Sequence, residues 1–327
     1  MKLWQVHELG EPADVMRLDD GPVPTAGPGE VVLDTQAVGI NFPDILQCRG
    51  GYQVKPKLPF TIGSEIVGEV SALGEGVTSV AVGDRVAMMG TGGLAQQLAV
   101  NADRLMPIRS SIPSEKAVAF LVNYTTTYFA LHDRAHLQAG ETVLVHAGAG
   151  GVGSSAIQLA LAAGATVIAT AGGPEKVEIC KNLGASVAID YQTEDLVARV
   201  REATSDRGVD VIYDPVGGDV FDQSRRTMAW DGRYLVIGFT SGRIPDAPLN
   251  HILLKNYSIV GVHWGAAVAR DPAMVPRTFE TLVGLYDEGE VDPLIFGSPI
   301  PFAGAAEAMT KLANRQTYGK VVIDPRL

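Results

Sequence analysis

The stretch Thr142-Val143-Leu144-Val145-His146-Ala147-Gly148-Ala149-Gly150-Gly151-Val152-Gly153 decides the fold. Its first residues read as a short buried strand, and a helical pattern runs from Ser155 to Ala163. Between them Gly148, Gly150 and Gly153 fit G-x-G-x-x-G. Alone this spacing is weak, because glycines in a strand-to-helix turn can serve packing only. Directly after a strand and at the mouth of a helix it acquires a physical meaning. A pyrophosphate reaches the N–H groups of a helix N-terminus only where no Cβ holds it away.

The same rhythm continues downstream. Short apolar strands are expected at 166–170, 187–189, 209–214, 233–237 and 257–262, with a helix opening at Pro174. Continuous apolar strands alternating with helices describe a parallel, doubly wound sheet covered on both faces. Upstream the character differs. Residues 31–38, 66–74 and 85–89 are strands punctuated by Gly and Pro, with no helical crossovers, which implies a compact antiparallel β-rich domain. Pro113-Ser114-Glu115 signals a helix start with Ser114 as N-cap, followed by an apolar helical run toward Leu131. After residue 268 come a helix at 275–288, a proline-rich crossing, a helix at 305–314 and a strand at 320–323. That tail is too small to stand alone and should pack back on the first domain. The expected division is therefore 1–123 with 268–327, and 124–267.

Composition narrows the function. The chain has 327 residues, 46% hydrophobic and 19% charged, which fits a soluble globular protein of two domains. Its formal net charge of −11 at pH 7 argues against nucleic acid as the principal partner, since gripping phosphate backbones needs a basic surface. Two cysteines, Cys48 and Cys180, are too few for a disulfide scaffold or a four-cysteine zinc lobe. No apolar run reaches the ~18 residues of a membrane span, and residues 1–8 hold no signal core, so no membrane partner and a cytoplasmic location are expected. The histidines show no metal-ligand spacing; His132 and His136 lack the intervening glutamate of a metalloprotease helix.

The cofactor's identity is read after the second strand. An acid about 20 residues beyond the first glycine normally binds the adenosine ribose of NAD. Here Ile168-Ala169-Thr170-Ala171-Gly172-Gly173 holds no carboxylate, Lys176 comes a few residues on, and Tyr191 follows the third strand. A missing acid and a nearby ammonium favour a 2′-phosphate, hence NADPH.

Together these residues carry a resemblance. Gly39-Ile40-Asn41-Phe42-Pro43-Asp44, Gly63-Ser64-Glu65-Ile66-Val67-Gly68, Gly83-Asp84-Arg85-Val86, the glycine turn from His146, Tyr213-Asp214-Pro215-Val216-Gly217-Gly218 and the terminal Gly319-Lys320-Val321-Val322 stand in one order along the chain. The whole sequence resembles the zinc-free, zeta-crystallin-like quinone oxidoreductase family of the medium-chain dehydrogenase/reductase superfamily. The resemblance implies an α/β protein with a GroES-like catalytic domain built from both chain ends and a Rossmann domain inserted between them. In zinc-dependent relatives a Cys stands at the position of Asn41 and a His at that of Ser64, so no metal is expected here. The family pattern places Asn41 and Tyr52 in the substrate cleft and Thr126 at the nicotinamide carboxamide. It sets Gly151 and Val152, within the turn Gly148, Gly150 and Gly153, against the pyrophosphate. Gly172, Lys176 and Tyr191 would surround the adenosine phosphate, and Gly217, Gly238 and Phe239 would line the ribose and nicotinamide path. Arg315 would reach the cofactor phosphates. Leu46 departs from the pattern, since some relatives carry a second cleft tyrosine there.

The implied chemistry is hydride transfer to a quinone, with Asn41 bonding the developing oxyanion and Tyr52 donating a proton or orienting water. Two other functions stay open: an enone or enoyl-thioester reductase, and an NADPH-binding sensor or structural protein. Cys48, near the expected site loop, is either a reactive thiol or an inert buried one. The resemblance also implies a homodimer paired along the last Rossmann strands.

Overall fold

The computed structural model describes residues 1–53 and 55–327. The chain divides into two compact units, Met1–Val122 with Pro293–Leu327, and Asn123–Asp292.

In the second unit six parallel strands lie side by side in the order Val187–Asp190, Thr166–Ala171, Thr142–Val145, Val209–Asp214, Met228–Val236 and Ser258–Gly261. In chain order this is 3-2-1-4-5-6, so the direction of winding reverses beside Thr142–Val145, where open α/β sheets place their ligands. The four residues of that strand are all buried, which is why no polar alternation marks it in the sequence. Ser258–Gly261, the expected pairing edge, is the outermost strand, and Leu253 and Leu254 of the preceding helix Leu249–Lys255 are exposed.

The first unit is built on antiparallel strands. Glu30–Ile40 pairs with Glu65–Leu73 on one side and with the C-terminal strand Val321–Asp324 on the other. A smaller sheet joins Lys2–Val6 to Met16–Asp20 and Phe60–Thr61. Both chain ends share one core: Trp4 and Val6 pack with Phe302, Met309, Val321 and Ile323. The Trp4 indole also donates to the Phe302 carbonyl at 2.8 Å.

Two local expectations are corrected. The second border, expected at 268, lies at 292/293. The helix Met274–Asp287 buries Met274, Val275, Phe279 and Leu282 and packs on the helix Thr125–Tyr128 within the parallel-sheet unit. Its apolar face, read alone, suits either unit. Ser114 is not the N-cap of its helix; Pro113 holds that place. The Ser114 hydroxyl is used elsewhere, donating to Gln36 at 2.9 Å and accepting from Arg85 at 3.0 Å. The helical run also breaks into Ser114–Ala119 and Thr125–Tyr128, joined and followed by wider turns at 120–124 and 129–134.

Candidate active site

The glycine turn joins Thr142–Val145 to the helix Gly151–Ala162, with Gly150 at the N-cap. The chain reverses by placing Ala147 at φ 52° and closing Gly150 N–H on the Ala147 carbonyl at 2.8 Å. A Cβ on Gly148 would stand 2.9 Å from Cys180 Sγ and 3.0 Å from the Ala169 Cβ; one on Gly153 would run into the Ala147 carbonyl. Those two glycines let strand and helix touch. Gly151 and Val152 are the first two helical residues, so their N–H groups have no carbonyl a turn earlier to bond. These donors at the positive end of a 12-residue helix, with no side chain on Gly150, form a cradle that fits a diphosphate, while the bare Gly151 makes room for the Asn123 amide, which a Cβ there would overlap. Thr126 lies half-buried in the neighbouring helix, whose Thr127 hydroxyl bonds Ser155 at 2.8 Å and Tyr213 at 2.9 Å.

At the end of the next strand Gly172 faces the Tyr191 ring, where a Cβ would come within 2.8 Å of Cζ. Lys176 sits half-buried in the first turn of the helix Pro174–Asn182. Sequence reasoning missed one carboxylate here. Asp190 ends the adjacent strand and accepts from the backbone N–H of Gly173 and of Gln192, both at 3.0 Å. These bonds hold its carboxyl below the usual range and tie the two loops together, leaving Tyr191 against Gly172.

Gly217 adopts φ +65°, and its N–H bonds both oxygens of the buried Asp214 carboxylate at 3.0 and 3.1 Å. Asp214 also accepts from the Tyr234 hydroxyl at 2.6 Å. The Gly217 N–H is therefore spent inside the protein. Its missing side chain makes room for Phe239, whose Cδ1 would lie 2.8 Å from a Cβ there. Gly238 lies next to Phe239, and Phe239 walls a cavity of about 110 Å³ with Gly217, Tyr234, Val236, Ile244 and Ile259.

In the antiparallel unit the register assembles a second cluster. Ile40 faces Val321 and Gly39 faces both Val322 and Glu65, so the next step sets Asn41 opposite Lys320. Residues two apart share a face, which brings Asn41, Glu65 and Lys320 together over Gly39. A Cβ on Gly39 would overlap the Glu65 carboxylate and approach the Lys320 Cε to 2.6 Å. Lys320 forms a fully buried ion pair with Glu65 and donates to Asn41 Oδ1 at 2.8 Å. Asn41 Nδ2 donates to Glu65 Oε2 at 2.7 Å, and Glu65 Oε1 accepts from the Val122 N–H at 2.6 Å. Asn41 also caps the helix Phe42–Cys48, its N–H donating to Asp44 at 2.7 Å. Tyr52 is half-buried in the loop after that helix, and Arg315 is exposed at φ 59° after the helix Ala305–Ala313. Cys48 is buried, and burial pushes its thiol up to about 12, which disfavours the thiolate.

Asp44 carries the clearest pH signal. Its carboxyl is pushed up to about 7, first by burial and then by the Glu65 charge, against the lowering influence of the Asn41 and Gly63 N–H groups and of Lys320. A carboxyl of raised pKa gives a stability contribution that is fully present below the unfolded value near 4 and is lost as pH rises through 7. Asp44→Asn should remove that slope. The stability difference between variant and parent should move by up to ~4 kcal/mol in the variant's favour from pH 4 to pH 8. Urea titrations at several pH values measure it; parallel pH curves would refute it.

Comparison with known proteins accords with this architecture. Residues 27–110 match the family described as alcohol dehydrogenase GroES-like domain, and residues 151–286 the one described as zinc-binding dehydrogenase. The quinone oxidoreductase-like protein 2 homolog of Nematostella vectensis is 37% identical over 322 residues, covering 98% of this chain and 88% of that protein. The quinone oxidoreductase of Pseudomonas aeruginosa is 35% identical over 326 residues, 99% of each. The crystal structure of Escherichia coli quinone oxidoreductase complexed with NADPH superposes with a TM-score of 0.89 at 28% identity, over 99% of this chain and 100% of that one. Similarity along nearly the whole length, joined to a GroES-like unit and a Rossmann unit in the same arrangement of sequence, makes this chain an enzyme of the quinone oxidoreductase family in the medium-chain dehydrogenase/reductase superfamily.

Proposed function

We propose that the protein is an NADPH-dependent reductase of quinones that works without zinc. The observation that carries this reading is the cradle of backbone N–H groups of Gly151 and Val152 at a helix capped by Gly150, in a family with a member solved with NADPH. Bound there, NADPH supplies a hydride, which with one proton converts a quinone to a hydroquinone and leaves NADP. Gly151 and Val152 would hold the pyrophosphate, Lys176 and Tyr191 the adenosine phosphate, and Thr126, Gly217, Gly238 and Phe239 the nicotinamide end, with Arg315 a further phosphate ligand. Asn41 gives one amide N–H to Glu65 and keeps its second for the substrate oxygen. Tyr52 is the proposed proton donor.

Zinc does not suit the side chains at 41, 64 and 65. The Asn41 oxygen and the Glu65 carboxylate already bind the Lys320 ammonium, whose charge repels a dication, and Ser64 is a poor ligand. A conjugated acceptor spreads the incoming charge onto oxygen and asks less of the protein than a simple ketone does.

NADPH oxidation with an ortho-quinone, a simple quinone, an alkenal and an enoyl-CoA tests the reading. Fast turnover of the quinones supports it, preference for the alkenal or enoyl-CoA replaces it with an enone reductase, and binding without turnover replaces it with a sensor. Lys176→Ala should raise the NADPH Kd about tenfold, the worth of one charge-assisted contact, and leave the NADH Kd nearly unchanged. Equal losses for both cofactors would remove Lys176 from the phosphate site.

A further inference from the structure

We propose that Lys320 and Glu65 are positioning residues for Asn41: their buried ion pair fixes the direction of its amide and strengthens the remaining N–H that bonds the substrate oxygen. The inference rests on the reading above, in which Asn41 donates to an acceptor gaining negative charge.

An asparagine amide is nearly symmetric in shape and can turn over with little steric cost. Here the two ends meet opposite charges. Oδ1 faces the Lys320 ammonium at 2.8 Å and Nδ2 faces the Glu65 carboxylate at 2.7 Å. Turned over, the amide would set N–H groups against an ammonium and a carbonyl against a carboxylate. Both contacts would be repulsive where Glu65 and Lys320 have essentially no solvent to screen them. One orientation therefore survives, with its second N–H uncommitted among the described residues. The ammonium at Oδ1 also draws electron density through the amide, so that N–H becomes a better donor than a free asparagine offers. The clamp is itself held. Glu65 is anchored by the Val122 N–H at 2.6 Å, Gly39 leaves the space the pair fills, and the Asn41 backbone is fixed by Asp44 at 2.7 Å. Stability alone does not call for such a pair, since apolar residues of similar volume usually serve a core as well or better.

The test is a double-mutant cycle on the full-length enzyme, comparing the parent, Asn41→Ala, Lys320→Met/Glu65→Gln, and all three changes together. The Met/Gln pair removes both charges and so leaves no buried charge unpaired, while Asn41 Oδ1 loses its ammonium and the amide at 65 offers Asn41 an NH2 in place of a carboxylate oxygen. Expected is a fall in kcat of about 100- to 1,000-fold for Asn41→Ala and a similar fall for Met/Gln, the scale of one oxyanion donor. Adding Asn41→Ala to Met/Gln should then lower kcat less than twofold further. The NADPH Kd, read by cofactor fluorescence, should stay within twofold throughout. Effects that multiply, or an NADPH affinity that falls in step with kcat, would overturn the positioning role. If Met/Gln does not fold, Lys320→Gln/Glu65→Gln takes its place in the cycle, since it leaves no buried charge unpaired and returns a donor to Asn41 Oδ1. It fills the space without charge, and a weakening of the Asn41→Ala effect of at least threefold is expected. An undiminished effect would count against the proposal. The cycle uses whichever acceptor the parent reduces fastest. Turnover confined to enones thus defeats the quinone reading alone, turnover without coupling defeats the positioning alone, and no turnover with any acceptor defeats both.

Discussion

On the proposed reading, Gly153→Val should weaken NADPH binding more than about 100-fold and loosen the parallel-sheet unit. The expectation comes from backbone, which cannot step aside as a flexible side chain can. A Cβ at residue 153 would overlap the Ala147 carbonyl and lie 2.9 Å from the Gly148 Cα. Both residues are pinned: Gly148 N–H donates to the Thr170 carbonyl, and Gly150 N–H to that of Ala147, each at 2.8 Å. Relief then requires the helix Gly151–Ala162 to tilt off the strand, unpacking Ala156, Ile157, Leu159 and Ala160 from the core. The N–H groups of Gly151 and Val152 would tilt with it. Losing two charge-assisted bonds of about 1.5–3 kcal/mol each raises the NADPH Kd by more than about 100-fold. Gly150→Ala, whose Cβ meets only the Ala147 carbonyl at 3.2 Å, should leave the fold intact and weaken NADPH binding only through the methyl group it sets in the cradle. Calorimetric titration with NADPH measures both, and a Gly153→Val protein binding within fivefold of the parent would refute the assignment of the cradle.

The parallel sheet was legible because each of its strands is a short apolar run bounded by turn residues, a local property. What escaped the sequence is what only register reveals. Lys320 is the first residue of the expected terminal strand 320–323, and Glu65 stands just before the one expected at 66–74. Nothing local says that 255 residues apart they form a buried pair. The pairing of Ile40 with Val321 and of Gly39 with Glu65 says so at once. Asp190 escaped for a similar reason: it belongs to the third strand, and only parallel pairing sets it beside Ala171. The border at 292/293 was missed because the helix Met274–Asp287 shows an apolar face without showing its partner. Ser114 has the chemistry of an N-cap, yet Arg85 and Gln36 compete for its hydroxyl and win.

Lys320→Met alone should cost about 3–5 kcal/mol of stability, while Lys320→Met/Glu65→Gln recovers most of it. The single change keeps the volume and the apolar stem but leaves the Glu65 carboxylate, fully buried, without its cation. Its remaining partners, the Asn41 amide and the Val122 N–H, are neutral dipoles and cannot replace a full charge. Asp44 makes matters worse. Its carboxyl, already raised by the Glu65 charge, also loses the lowering influence of Lys320, so two acids share the pocket with no base. A loss of that size is a large fraction of the ~5–15 kcal/mol that holds a typical domain folded. Neutralising Glu65 as well removes the orphaned charge; the carbonyl of the substituted amide can keep one of the two bonds, that from the Val122 N–H, while its NH2 turns toward Asn41. Urea unfolding at pH 8 gives a wider separation between the two variants than at pH 5, where Asp44 is protonated and only the Glu65 charge is unpaired. If the single variant unfolds within 1 kcal/mol of the parent at both pH values, the Glu65 carboxylate reaches water and the clamp on Asn41 has no electrostatic basis.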